Sequence, residues 1–175
     1  MKKIMLTVAA MFLAVAAFAA PKSASAYYSD AAFQYIENRL PSAEITCNEG
    51  LQYYPNDQKL QMLLDRIKEA KDEQKNENKK NDKNQDNNQD QNNDQKQPPL
   101  SEKAKEVLAR ALQLCKDGKY AEAKEMLENL IAEDETAGQL SGHVQRIDDV
   151  IEIKAGRKPK AKIDASNTDN DLEVI

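Results

Sequence analysis

The sequence predicts an all-α fold: two three-helix pieces joined by a polar Asn/Gln/Asp/Lys linker. Three observations predict it. Apolar residues recur at helical spacing, as in Leu60, Leu63, Leu64 and Ile67. Helix punctuation brackets those runs, with Pro41 suited to a first turn and Asp117-Gly118 to a stop. Tryptophan is absent and glycine scarce, at 5 of 175 residues, which argues against a β-rich chain.

Residues 1–26 read as a signal peptide. Lys2 and Lys3 precede the apolar run 4–20, and Ala24-Ser25-Ala26 supplies the small-x-small pattern of a cleavage site. No cysteine follows the run closely, so no lipid anchor is expected. The expectation is an exported protein, periplasmic or extracellular, with no membrane insertion after cleavage. Removal of Lys2, Lys3 and Lys22 takes the net charge from −5 to −8. Such an acidic chain lacks the clustered cations that nucleic acid or anionic lipid requires.

The first helical piece spans residues 27–75. Ser29 or Asp30 is the expected cap of its first helix, whose apolar side carries Ala32, Phe33, Tyr35 and Ile36. A second helix starts near Pro41 and ends near Tyr54, and Asn56 or Asp57 caps a third. Residues 76–99 are the linker. No apolar side chain occurs between Lys71 and Gln97, so ordering entropy would go unopposed by burial, and disorder is expected. The second piece, 100–156, opens with Ser101 as cap of a helix bearing Val107, Leu108, Ala111, Leu112 and Leu114. The next helix carries Tyr120, Ala123, Leu127, Leu130 and Ile131, and the last runs from about Thr136 to Lys154. Residues 157–175 read as a disordered tail.

The two pieces match each other about eighty positions apart. Ala43 pairs with Ala123, Leu51 with Ile131, Leu60 with Leu140, Leu64 with Val144, and Arg66-Ile67 with Arg146-Ile147. This ungapped run predicts an internal duplication. In the second copy, Asp117-Gly118-Lys119-Tyr120-Ala121-Glu122-Ala123 resembles the turn of a tetratricopeptide repeat: a small residue, an aromatic two later, Ala three after that. Tyr54-Pro55-Asn56-Asp57 resembles the joint that closes such a repeat. Two departures stand out. Asn38 occupies the glycine place of the first copy, and Glu135 the proline place of the second.

The resemblance implies a non-enzymatic protein-interaction module or adaptor whose partner-facing groove is lined by the first helix of each repeat. In the second copy the matching positions are Lys105, Leu108, Leu112, Cys115 and Lys116, suited to an apolar protein or peptide partner with some acidic character. The alternative fate of those leucines is burial against the other copy. Pieces of this size are marginal alone, so docking within the chain or homo-oligomerisation is expected.

Chemistry is thin elsewhere. Cys47 and Cys115 are the only cysteines, an even count that permits one disulfide in an oxidising compartment; the alternative is two buried thiols acting as small hydrophobes. Two cysteines and the single histidine, His143, are too few for a zinc site, and His143 reads as a helix-surface residue. No catalytic residue, metal or cofactor is expected. Overlapping Asp-x-Asn-x-Asp patterns from Asp82 to Asp94 have calcium-loop spacing without the required glycine or bidentate glutamate. A calcium-responsive or structural spacer is the alternative reading, and an enzyme using an unrecognised carboxylate site a weaker one.

Overall fold

The computed structural model describes residues 21–83 and 98–159, with side chains over 21–76 and 98–159. Six α-helices and one short 3-10 helix make up the regular structure, and no strand occurs among the described residues. The helices are α1 (Ala24–Ile36), α2 (Leu40–Tyr53), α3 (Gln58–Lys83), α4 (Glu102–Lys116), α5 (Tyr120–Glu133) and α6 (Ser141–Lys154). The 3-10 helix, Glu135–Leu140, leads directly into α6.

α1 begins earlier than the sequence suggests. Ser23, rather than Ser29 or Asp30, caps it, accepting from the Ala26 N–H at 3.2 Å. The longer helix lets Tyr27 and Tyr28 reach the core, which a start at residue 30 would forbid. Asp30 instead pairs with Lys22 at 2.7 Å. The α1–α2 turn places Asn38 at φ 60°, and the α4–α5 turn places Gly118 at φ 75°. Asparagine is among the few residues that tolerate this left-handed conformation, which explains how Asn38 fills a glycine place.

α2 and α5 begin and end eighty positions apart, and each is preceded by a cap residue of nearly the same backbone geometry, Arg39 and Lys119. Both helix pairs close on alanines: Ala31, Ala43, Ala111 and Ala123 are each fully buried. Gly50 on α2 makes the closest approach. A Cβ there would lie 2.9 Å from Tyr27 Cβ and 3.0 Å from Leu60 Cδ1.

Asp57 caps α3, accepting from the Leu60 N–H at 2.9 Å. α3 then continues to Lys83, past residue 75 where the sequence ended the first piece. Lys, Glu and Gln are good helix formers, and the turn that leads into the extension is tethered: Lys71 pairs with Glu44, and Gln74 Nε2 donates to Asn38 Oδ1 at 2.9 Å. The rest of the linker, 84–97, with most of the calcium-like pattern, lies outside the described residues, as does the tail from 160. Ser101 caps α4 as expected, accepting from the Ala104 N–H at 3.0 Å. The expected single helix from Thr136 is instead a 3-10 segment followed by α6. Asp134 initiates that segment by accepting from both the N–H and the hydroxyl of Thr136, so an Asx-type cap stands where a repeat has proline.

One apolar core joins both halves. α1 packs on α2, α3, α4 and α6, while α3 packs on α6. The cross-contacts are specific. Tyr28 Oη donates to the Val150 carbonyl at 3.0 Å, and Tyr35 Oη to Asp149 Oδ2 at 2.6 Å. Arg66 Nε donates to the same Asp149 oxygen at 2.8 Å. Arg146 Nε donates to the Ile36 carbonyl at 3.0 Å, placing a cation at the negative end of α1. The two Arg-Ile pairs that match eighty positions apart therefore both supply an arginine to the seam.

Candidate functional site

α4 carries the residues singled out by sequence. Lys105 and Lys116 are exposed, whereas Leu108 and Leu112 are half-buried and packed on the core, and Cys115 is buried. Lys105 Nζ pairs with Glu102 at 2.6 Å. The Lys116 ammonium lies 4.9 Å from the Phe33 ring centroid on α1, a cation–π contact across the α1–α4 packing. The apolar part of the predicted face is thus shared with the core, and its charged ends remain at the surface.

A more open surface lies on the other side of α4, between α4 and α5. This groove, about 350 Å³ in volume, has a floor of Val107, Met126 and Leu130. Its rim is Lys103, Glu122, Glu125, Asn129 and Glu133, with Lys103 Nζ bridging to Glu133 at 2.9 Å. Sequence reasoning used Val107 and Leu130 as packing positions and passed over Met126. The signal that could have found the groove is Met126 followed by a leucine on a helix otherwise dense in glutamate. A second cleft, about 480 Å³, lies where the start of α3 and the α4–α5 turn meet the ends of α1 and α6, and its lining is more polar.

The remaining chemistry-bearing groups are engaged in packing. Cys47 and Cys115 are free thiols rather than a disulfide in the structure, both buried, on α2 and α4 respectively. Burial pushes the Cys47 thiol up to about 12 and the Cys115 thiol up to about 11, so neither has thiolate character at neutral pH. His143 departs from the expected surface position. It is half-buried near Arg146 and Glu37, and its Nδ1 is buried without a hydrogen-bond partner. Burial first, and the Arg146 charge second, lower its pKa to about 4.

Arg66 and Asp149 are the only buried charged residues among those described. Burial works against the Arg66 charge, but Tyr35, Asp149 and Glu73 together hold its pKa above the ordinary value. Burial, reinforced by Asp149, raises that of Tyr35. The cluster is a satisfied structural network, since Arg66 also reaches Glu73 at 3.2 Å and Glu69 at 3.5 Å. Among the described residues no three His, Cys, Asp or Glu side chains group as a metal site, and no helix is long and apolar enough to cross a membrane.

Comparison with family models, with curated proteins and with solved structures finds no match for this chain.

Proposed function

We propose that this chain is an exported, non-enzymatic protein-interaction module or adaptor, built from two tetratricopeptide-like three-helix units docked on each other. The observation that carries the reading is the apolar-floored groove on the α4–α5 helix pair, on a body whose thiols, histidine and buried ion pair are all committed to packing. Such a scaffold offers shape and surface chemistry, and the opposite side of α4 presents a second surface with Lys105 and Lys116 exposed, the latter against Phe33 of α1. The two-unit reading is supported by the coincident bounds of α2 and α5, by left-handed Asn38 and Gly118 at matching turns, and by Leu60 with Leu140 and Ile67 with Ile147, all buried.

Export rests on the apolar stretch 4–20 and on Ala24-Ser25-Ala26. Those three residues form the first turn of α1 and Tyr27 is buried, so cleavage after Ala26 would precede folding. Intact-mass measurement on protein recovered outside the cytoplasm tests this, with a start at Tyr27 expected and an unprocessed cytoplasmic chain refuting it. The interaction reading is tested by a photo-crosslinking residue placed in cells at Met126 or Lys105, with exposed Lys68 on α3 as control. A discrete adduct from 126 or 105, absent at 68, is expected. No adduct from either position would remove the interaction function.

A further inference from the structure

We propose that the α4–α5 groove binds a cationic segment of a partner protein that inserts one bulky apolar or aromatic side chain among Val107, Met126 and Leu130. This deepens, and rests on, the interaction-module reading. The charge of the rim sets the sign of the partner. Three carboxylates, Glu122, Glu125 and Glu133, face one lysine, Lys103, which is already bound to Glu133. Glu122 has only a 3.9 Å contact with Lys119, and Glu125 has no ion-pair partner among the described residues. An acidic rim on a chain of net charge −5, or −8 once residues 1–26 are removed, favours a basic partner and disfavours an acidic one. The floor sets the anchor. A space of about 350 Å³ over valine, methionine and leucine suits a large side chain and its neighbours, not a folded domain.

The α1–α2 pair shows what fills this place when the chain supplies the filling itself. Eighty positions earlier, Tyr27 stands where Val107 stands, Glu49 where Asn129 does, Gly50 where Leu130 does and Tyr53 where Glu133 does. Tyr27 packs against Gly50, whose missing Cβ makes room for it. Its ring stacks on Tyr53 with centroids 6.1 Å apart and planes 17° from parallel. Its hydroxyl donates to Glu49 Oε1 at 3.2 Å. An aromatic ring and its carboxylate acceptor thus complete the first helix pair. In the second pair Val107 is too small to reach across, so the place of the ring is open, and three rim carboxylates share one lysine, Lys103. A basic segment with an aromatic anchor supplies a ring for that place and further cations for the rim.

The test uses the isotope-labelled full chain and a synthetic Lys-Lys-Phe-Leu-Lys-Lys peptide as probe, followed by NMR titration. Expected are shifts centred on Val107, Met126 and Leu130, and an affinity that falls as salt rises from about 50 to about 500 mM. Binding should weaken by about tenfold in Glu122→Lys/Glu125→Lys, both exposed positions whose replacement leaves the core intact. The analogue with Ala-Ala in place of Phe-Leu should also weaken by at least about tenfold. The proposal is overturned if the shifts fall elsewhere, if a Glu-Glu-Phe-Leu-Glu-Glu probe binds as well, or if the charge-reversed variant keeps full affinity. A Met126 cross-link in cells together with a silent basic probe would retain the interaction module and reject the partner chemistry alone.

Discussion

Replacing Asp149 by alanine should be among the most damaging single changes available in this chain. Its carboxylate, 4% exposed, accepts from Tyr35 on α1 at 2.6 Å and from Arg66 on α3 at 2.8 Å, so one side chain of α6 ties three helices together. Removing one member of a buried ion pair typically costs about 3–5 kcal/mol, because the other charge is left desolvated. Here Arg66 keeps Glu73 at 3.2 Å, which places the loss at the lower end, about 3 kcal/mol. The fully buried Tyr35 hydroxyl loses its acceptor, adding about 1 kcal/mol. Urea unfolding of the full chain followed by circular dichroism should therefore show a loss of about 3–4 kcal/mol. The paired replacement Arg66→Met/Asp149→Leu should cost far less, about 1 kcal/mol or under, since it removes both charges together. A loss below about 1 kcal/mol for Asp149→Ala, with an unchanged denaturant slope, would refute this account of the seam.

Other consequences follow from the same packing. His143 should make stability fall with acid. Its folded pKa, about 4, lies below the unfolded 6.5, so the unfolded chain binds the proton first, and stability present above pH 6.5 is lost as pH falls toward 4. That difference, reduced for partial exposure, amounts to about 2 kcal/mol, and His143→Gln should flatten the urea-midpoint profile over this window; an unaltered profile would contradict it. Cys47 and Cys115 should react slowly with a thiol reagent in the native chain at about pH 8 and count as two free thiols once unfolded. A count of zero in the unfolded chain would establish a disulfide instead. Gly118→Ala should cost about 1 kcal/mol because φ is 75° there, whereas Asn38→Gly should lose only its exposed hydrogen bond from Gln74, about 0.5 kcal/mol or under. Comparable losses at both turns, by thermal unfolding, would contradict the left-handed requirement.

The sequence was most legible where local chemistry and packing agree. Ser101, Asp57 and Gly118 mark helix ends by mechanisms confined to a few residues, and each does so in the structure. Leu60, Leu63, Ile67, Ala123 and Leu127 were readable as core from spacing alone, and all are buried. Errors arose where a distant contact overrode the local signal. Ser29 and Asp30 are good caps, but the burial of Tyr27 and Tyr28 draws α1 back to Ser23. The stretch after Ala70 has no apolar residue to mark it as helix, yet Glu44 and Asn38 outside α3 hold Lys71 and Gln74 along it. His143 looked superficial because the spacing along α6 does not show that Glu37, just past the end of α1, comes near it. The face of α4 was legible as apolar with flanking lysines, while its sharing with the core was not. Neither was the groove behind it, which depends on Val107 and Leu130 standing where a tyrosine and a glycine stand in the first helix pair.

The central claim is that the described helices form one body, with α6 of the second half seated against α1 and α3 of the first. Backbone relaxation of the isotope-labelled full chain measures this directly, through the rotational correlation time of residues 24–76 and of residues 102–154. The account predicts one common value, independent of protein concentration and set by the mass of the whole. Two different and shorter values, one for each half, would contradict it.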